Sequence, residues 1–275
     1  MGRACDRVVI THADKLPFEM VRTVTRCYEE RSMITLLSPA KKLNMNAYDG
    51  SVSVTDPRLL DDTKSLAQTA KKQSLGDLKR LMHLSDNLAQ LNVDRFDRFD
   101  LSGQADGMKP AALAFDGDVY WGLDAKPLSD DDLSYAQGHL RILSGLYGLL
   151  RPMDEIQPYR LEMGTRLKNA RGHNLYEFWG ERIGAMIRSD LDGHEDQTVL
   201  NLASNEYFKA VDQKTLGRPV ITVKLLEEKD GKARPIQYYT KFGRGLFARW
   251  VIENRIDRAK DLRRFDAGGY KLSEA

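Results

Sequence analysis

Met33-Ile34-Thr35-Leu36-Leu37-Ser38-Pro39 is the stretch on which the fold class turns. Its apolar run is short and stops at Pro39, which has no N–H to carry a ladder onward, so it reads as a buried strand leaving into a loop. Residues 1–32 read differently: a short apolar run at Val8–Ile10, then a mixed segment, Phe18–Glu30, with little to bury. A methionine standing directly before the strand predicts that residues 1–32 are a non-native or disordered upstream extension. The alternative is an N-terminal arm that folds only by docking on the domain. The working domain is expected over residues 33–275.

Helical signals begin near Arg58, and Ser74 is placed to cap a helix carrying Leu78, Leu81 and Met82 on one side. A second short helix is expected after Asn92. Ser129 then caps a helix with Asp130, Asp131 and Asp132 in its first turn, against the positive end of the macrodipole. Its buried stripe is Leu133, Ala136, Leu140 and Leu143, and Gly145 ends it. A glycine-rich loop, a helix near Leu175–Ile187 and a strand over Val199–Leu202 follow. Val220–Leu225 and Ile236–Thr240 are β-rich runs flanking Lys229-Asp230-Gly231-Lys232, a hairpin signal, and Gly245–Ile256 reads as a helix. No repeat, low-complexity run or long linker divides these pieces, so the pattern predicts one compact domain of mixed α/β type.

With 41% apolar and 30% charged residues, a 275-residue chain buries a substantial core. No apolar run approaches the roughly 20 residues that cross a bilayer, and the first residues carry no secretory apolar segment, so the expectation is a soluble, cytoplasmic protein without a membrane partner. Both cysteines, Cys5 and Cys27, precede residue 33 and leave the domain no thiol for a disulfide, a thiolate metal site or a nucleophile. The net charge of +2, from 42 basic and 40 acidic residues, is too small to draw in a polyanion by itself. Distribution decides: acids crowd Asp116–Asp132, while Lys241, Arg244, Arg249, Arg255, Arg258, Lys260, Arg263 and Arg264 make the C-terminal stretch basic, either as a solvated helix face or as an anion-binding one.

Three stretches carry candidate chemistry. The loop Leu143–Pro152, continued by Gln157–Gly164, places permissive glycines beside Tyr147 and Tyr159, with Arg151 and Arg160 offering flat guanidinium groups to phosphate or carboxylate. Within it Glu162 either pairs with Arg160 or Arg166 or serves the site. Asn201–Phe208 runs from a buried strand into polar residues, so Ser204 and Glu206 face a cleft at a strand end or Ser204 caps a helix. Leu78–Phe99 outlines a helix-hairpin-helix, a sequence-independent DNA module, with its hairpin at Leu88–Asn92 and with Lys79, Arg80, Arg95 and Arg98 nearby; an ordinary helix-turn-helix packing element is the other reading. His83, His139, His173 and His194 lack metal-ligand spacing, so no metal or cofactor is expected. G-x-S-x-G is absent, as are the P-loop and dinucleotide fingerprints.

Taken together, Ser38-Pro39-Ala40-Lys41, Phe115–Tyr120, Leu143–Pro152, Gln157–Met163, Asn201–Ser204 and Lys241–Asn254 resemble the YaaA family of bacterial peroxide-stress proteins, over almost all of residues 33–275. The resemblance implies a family-specific mixed α/β fold containing a helix-hairpin-helix, a basic cleft that binds DNA, and a role in limiting intracellular free iron under peroxide. By the resemblance the hairpin falls at Leu88–Phe96, where Gln90 stands in place of the glycine of relatives and Asn92 holds the other turn position. Lys41, Arg151, Arg160, Lys241, Arg244 and Arg249 carry over as cleft residues.

The leading expectation is therefore sequence-independent binding of duplex, distorted or single-stranded DNA through these cations, with Tyr147, Tyr159 or Trp250 stacking on exposed bases. The alternative is an enzyme on a small anionic or nucleobase-like substrate, with Lys41 and Glu162 transferring protons and Arg151 or Arg160 anchoring. A cavity too narrow for a duplex and lined by Glu162 favours the second.

Overall fold

β1 (Ile34–Leu37) is buried along its whole length and forms the middle of a five-stranded sheet. The computed structural model describes residues 33–103, 105–225, 227–229, 232–234 and 236–271; the upstream extension lies outside the described residues. β1 pairs in parallel with β2 (Leu140–Ser144) on one side and β4 (Val199–Asn201) on the other, so Thr35 sits between Leu140 and Leu200. β5 (Val220–Thr222) continues the sheet in parallel beyond β4, and β3 (Gly148–Leu150) folds back antiparallel on β2, giving the order β3-β2-β1-β4-β5. The first four strands are buried on both faces, which is why they read as apolar runs rather than alternations. One hydrophobic core extends from Met33 to Phe265, with Trp179, Tyr147, Phe96, Phe178 and Phe247 among its largest fully buried side chains.

The caps at Ser74 and Ser129 are those expected. Ser74 precedes α2 (Leu75–Met82) in a capping box with Asp77, and Ser129 precedes α5 (Asp130–His139) in another with Asp132. α5 then departs from expectation. It ends at His139, and Leu140–Ser144, buried at all five positions, is strand β2: Leu140 and Leu143 continue the helical spacing of Leu133 and Ala136 but sit equally well in a strand buried on both faces. The helix expected over Leu175–Ile187 is two, α6 (Leu175–Trp179) and α7 (Arg182–Leu191), broken where Gly180 takes φ 49°. Ile236–Thr240, expected as a strand, opens the long helix α9 (Gln237–Glu253). Its hairpin partner is nearer: Glu227–Lys229 pairs antiparallel with Lys232–Arg234 around Asp230-Gly231, whose own placement lies outside the described residues.

α3 (Asp86–Arg98) packs against both α1 (Leu60–Lys71) and α2. Arg141, buried on β2, donates to Asp190 of α7 at 2.7 Å, and Arg58 reaches the same carboxylate at 2.5 Å. Burial opposes ionisation of Asp190 most strongly, yet the two guanidinium groups hold its pKa below the ordinary carboxylate range. Among the described residues, no helix is long and apolar enough to cross a membrane.

Candidate functional site

The chain leaves β1 toward β2 on one side and reaches β4 on the other, so the β1/β4 boundary is a switch point of the sheet. In open α/β sheets the crevice beyond the carboxyl ends of strands at such a point holds ligands. Here Ser38 follows β1 and Ser204 follows β4. The Ser204 backbone N–H donates to Ser38 Oγ at 2.9 Å and the two hydroxyls lie 3.3 Å apart. The buried phenol of Tyr120 donates to the Ser38 carbonyl at 3.1 Å and fixes that corner. Ser204 occupies the N-cap position of α8 (Asn205–Phe208), but its side chain caps nothing. It faces instead a cavity of about 430 Å³ lined by Ser38, Lys41, Asp118, Glu162, Ser204, Glu206, Tyr207, Gln237, Lys241 and Arg244.

Glu162 reaches this cavity because a glycine lies beneath it. A Cβ on Gly145, in the β2–β3 turn, would lie 2.2 Å from the Leu161 carbonyl oxygen, so only glycine lets the Leu161-Glu162 backbone settle on the hairpin. Arg160 donates to Glu162 Oε1 through Nε at 3.1 Å and Nη2 at 2.9 Å, and Lys41 Nζ lies 3.2 Å from the same oxygen. Glu162 Oε2 is buried with no partner among the described residues. The Gly164 N–H donates to Glu206 Oε1 at 2.9 Å, holding the second carboxylate. Burial pushes the Tyr207 phenol well above its ordinary pKa, so it stays neutral and donates or accepts hydrogen bonds only.

The opposite wall is α9, brought close by two more glycines. A Cβ on Gly122 of α4 (Asp118–Leu123) would stand 2.0 Å from the Phe242 carbonyl oxygen, and one on Gly245 1.7 Å from that of Val119. Backbone therefore lies on backbone. Gln237, Lys241 and Arg244, at i, i+4 and i+7 on α9, present one face to the cavity. Lys241 pairs with Asp118 at 3.5 Å. Arg244 has no hydrogen bond or ion pair among the described residues, its Nε is buried, and desolvation pulls its pKa below the ordinary arginine value.

Of the residues singled out in the sequence, Lys41, Arg160, Glu162, Ser204, Glu206, Lys241 and Arg244 meet here. Arg95 stands near Arg160; its own burial and then the Arg160 charge lower its pKa. The others lie elsewhere. Arg249 donates to the Leu123 and Asp124 carbonyls and pairs with Glu253 at 2.8 Å, closing the end of α4. Arg151 is held by Asp154 at 2.8 Å. Tyr147 and Tyr159 are buried and spend their hydroxyls on the Gln157 N–H and on Ser144, so neither presents a face to a base. Trp250 packs edge-on against Phe247 and Phe265.

The expected hairpin also moves. Leu88–Asn92 lies inside α3, and the turn is His83-Leu84-Ser85, with His83 at φ 53° and Ser85 capping α3. Asn92 is fully buried and donates to the Leu88 carbonyl at 2.7 Å; Gln90 donates to Asp94. Lys79 pairs with Asp86 and Arg80 with Asp77, while Arg98 is exposed. What remains is two helices joined by a short turn. The sequence reading missed Tyr207, Asp118 and Gln237 as cavity residues; the spacing of Gln237, Lys241 and Arg244 was the available signal, hidden by reading Ile236–Thr240 as a strand. Among the described residues, no group of three or more His, Cys, Asp or Glu side chains converges as a metal site would.

Comparison with known proteins gives the family of the chain. A family model described as peroxide stress protein YaaA matches residues 33–275. A UPF0246 protein of Phenylobacterium zucineum is 52% identical over 241 residues, covering 88% of this chain and 90% of the relative. One from Caulobacter vibrioides is 50% identical over 240 residues, 87% and 93% of the two chains, and one from a Marinomonas species 50% over 236, 86% and 90%. The chain belongs to the YaaA family of peroxide stress proteins.

Proposed function

We propose that the protein serves peroxide stress by binding DNA without sequence preference at the mouth of the β1/β4 cavity, with Lys41, Lys241 and Arg244 taking backbone phosphates. The observation that carries the reading is Arg244: a guanidinium without a partner among the described residues, part-buried at the end of a parallel sheet, needs an anion to satisfy it. Lys41 is two-thirds exposed, so its pairing with Glu162 is weak enough to yield to phosphate. Binding of this kind releases counterions and weakens steeply with salt. The same binding shields DNA from iron-driven oxidation, which is how the proposal accommodates a role in limiting the damage done by free iron.

The test is a fluorescence-anisotropy titration with labelled duplex and single-stranded DNA over a salt series. Lys41, Lys241 and Arg244 replaced together by Ala should flatten the plot of log K against log salt by roughly 2 to 3 units, at about 0.9 per phosphate lost. Arg249→Ala should leave it unchanged. An unaltered slope in a folded triple variant would falsify the reading.

A second reading, an enzyme on a small anionic or nucleobase-like substrate with Lys41 and Glu162 as proton-transfer groups, is favoured by the cavity itself, too narrow for a duplex and lined by Glu162, and by Glu162 Oε2, which is buried without a hydrogen-bond partner among the described residues. Saturable binding of a mononucleotide or nucleobase with no affinity for DNA would select it.

A further inference from the structure

We propose that the cavity takes one nucleotide of the bound DNA strand, turned out of the helix, with its base inside and its flanking phosphates on Lys41, Lys241 and Arg244. This rests on the DNA-binding reading and adds to it what the cavity itself is for. At about 430 Å³ the cavity falls in the roughly 300–1,000 Å³ range that encloses a single small ligand. A duplex, whose major groove alone is about 12 Å wide, stays outside.

In this arrangement the cations meet phosphate, and the carboxylates, hydroxyls and amide meet the base. Three cations and three carboxylates, Asp118, Glu162 and Glu206, share the lining. Carboxylates at hydrogen-bond range repel phosphate, so the cavity as a whole is no phosphate nest. They suit a neutral heterocycle instead, whose exocyclic amino and ring N–H groups are donors, while Ser38, Ser204 and Gln237 answer its ring nitrogens and carbonyls. Glu162 supplies the telling atom. Arg160 and Lys41 both use Oε1, leaving Oε2 buried without, among the described residues, the hydrogen bond that a buried carboxylate oxygen needs. A base donor satisfies it.

The aromatic groups fit the same division. Tyr147 and Tyr159 are sealed in the core, whereas Tyr238, next to Gln237 and one turn before Lys241, is 47% exposed with its ring stacked on Phe242 at 6.2 Å and 19°. The exposed Tyr238 ring beside Gln237 offers a stacking surface to neighbouring bases, and extruding one base costs only a few kcal/mol of lost stacking and pairing.

The experiment uses duplex DNA carrying one 2-aminopurine, whose fluorescence rises when it leaves the stack, with anisotropy of a distal label read in the same cuvette. At saturating full-length protein the fluorescence should rise several-fold. It should stay flat at saturation for Gln237→Phe, which fills the cavity from an exposed helix position, and for Ser204→Phe, which fills it from the strand end, with the fold of each checked by thermal unfolding. An excess of free nucleoside should lower the signal while anisotropy persists. Full anisotropy with no fluorescence rise in the wild type overturns the inference and leaves DNA binding standing. A rise that survives in a folded Gln237→Phe overturns the assignment to this cavity, and failure to bind DNA at low salt overturns the underlying reading and this one with it.

Discussion

Replacing Arg244 by Met removes a charge that has no partner among the described residues while keeping an apolar stem of similar length on α9. The two consequences run in opposite directions. A hydrogen bond to a charged group contributes about 1.5–3 kcal/mol, so losing one phosphate contact should weaken DNA binding about ten- to a hundredfold. The slope of log K against log salt should become shallower by about 0.9. The free protein, by contrast, loses an unsatisfied buried Nε, which costs a fold about 1–3 kcal/mol, with the lower end apt for a part-exposed head group. Its unfolding temperature should hold or rise, by about 2–4 °C per kcal/mol in a chain of this size. Anisotropy over a salt series and calorimetry without DNA read the two effects separately. A clear fall in unfolding temperature with an unchanged salt slope would mean that Arg244 supports the fold and meets no phosphate, and the argument for the cavity mouth would fail.

Gly122→Ala should be far more damaging than an exposed-helix change of one methyl, because the new Cβ meets the Phe242 carbonyl oxygen at 2.0 Å and must push α9 away. Both unfolding temperature and DNA affinity should drop; unchanged affinity would detach the position of α9 from binding. His139 is buried against Tyr135 and beside His194, Arg141 and Arg255; burial is the main cause that lowers its pKa to about 4. The unfolded chain therefore binds a proton that the folded one refuses between about pH 6.5 and 4. Stability should fall by on the order of 3 kcal/mol as pH drops through that window and be flat in this term above it. His139→Gln should flatten the profile below pH 6.5, and an unaltered acid limb would refute the assignment.

Local chemistry was legible from residue order alone. β1 is bounded by its own apolar run and by Pro39, and the caps at Ser74 and Ser129 need only residues three positions away. The site was legible in part: Lys41, Glu162, Ser204, Glu206, Lys241 and Arg244 lie in stretches where glycine or a strand end adjoins charge. Periodicity failed at Leu140–Ser144, since Leu140 and Leu143 keep the helical spacing of Leu133 and Ala136 while a strand buried on both faces imposes no alternation of its own. It failed again at Ile236–Thr240, whose aromatic and β-branched residues suit a strand until α9 is docked on α4.

Only the tertiary structure separated Arg244 from Arg249. They share one helix and one residue type, but Asp124, Glu253 and two carbonyls surround Arg249, whereas nothing among the described residues meets Arg244. The same holds for Tyr147 and Tyr159, whose glycine-rich surroundings suggested an open loop and whose rings complete the core. Residue order determines which groups are present and which local elements they start; whether a cation is neutralised or a ring is covered depends on what other segments bring opposite it, and that is decided when Ser38, Glu162, Ser204 and α9 converge from more than 160 residues apart.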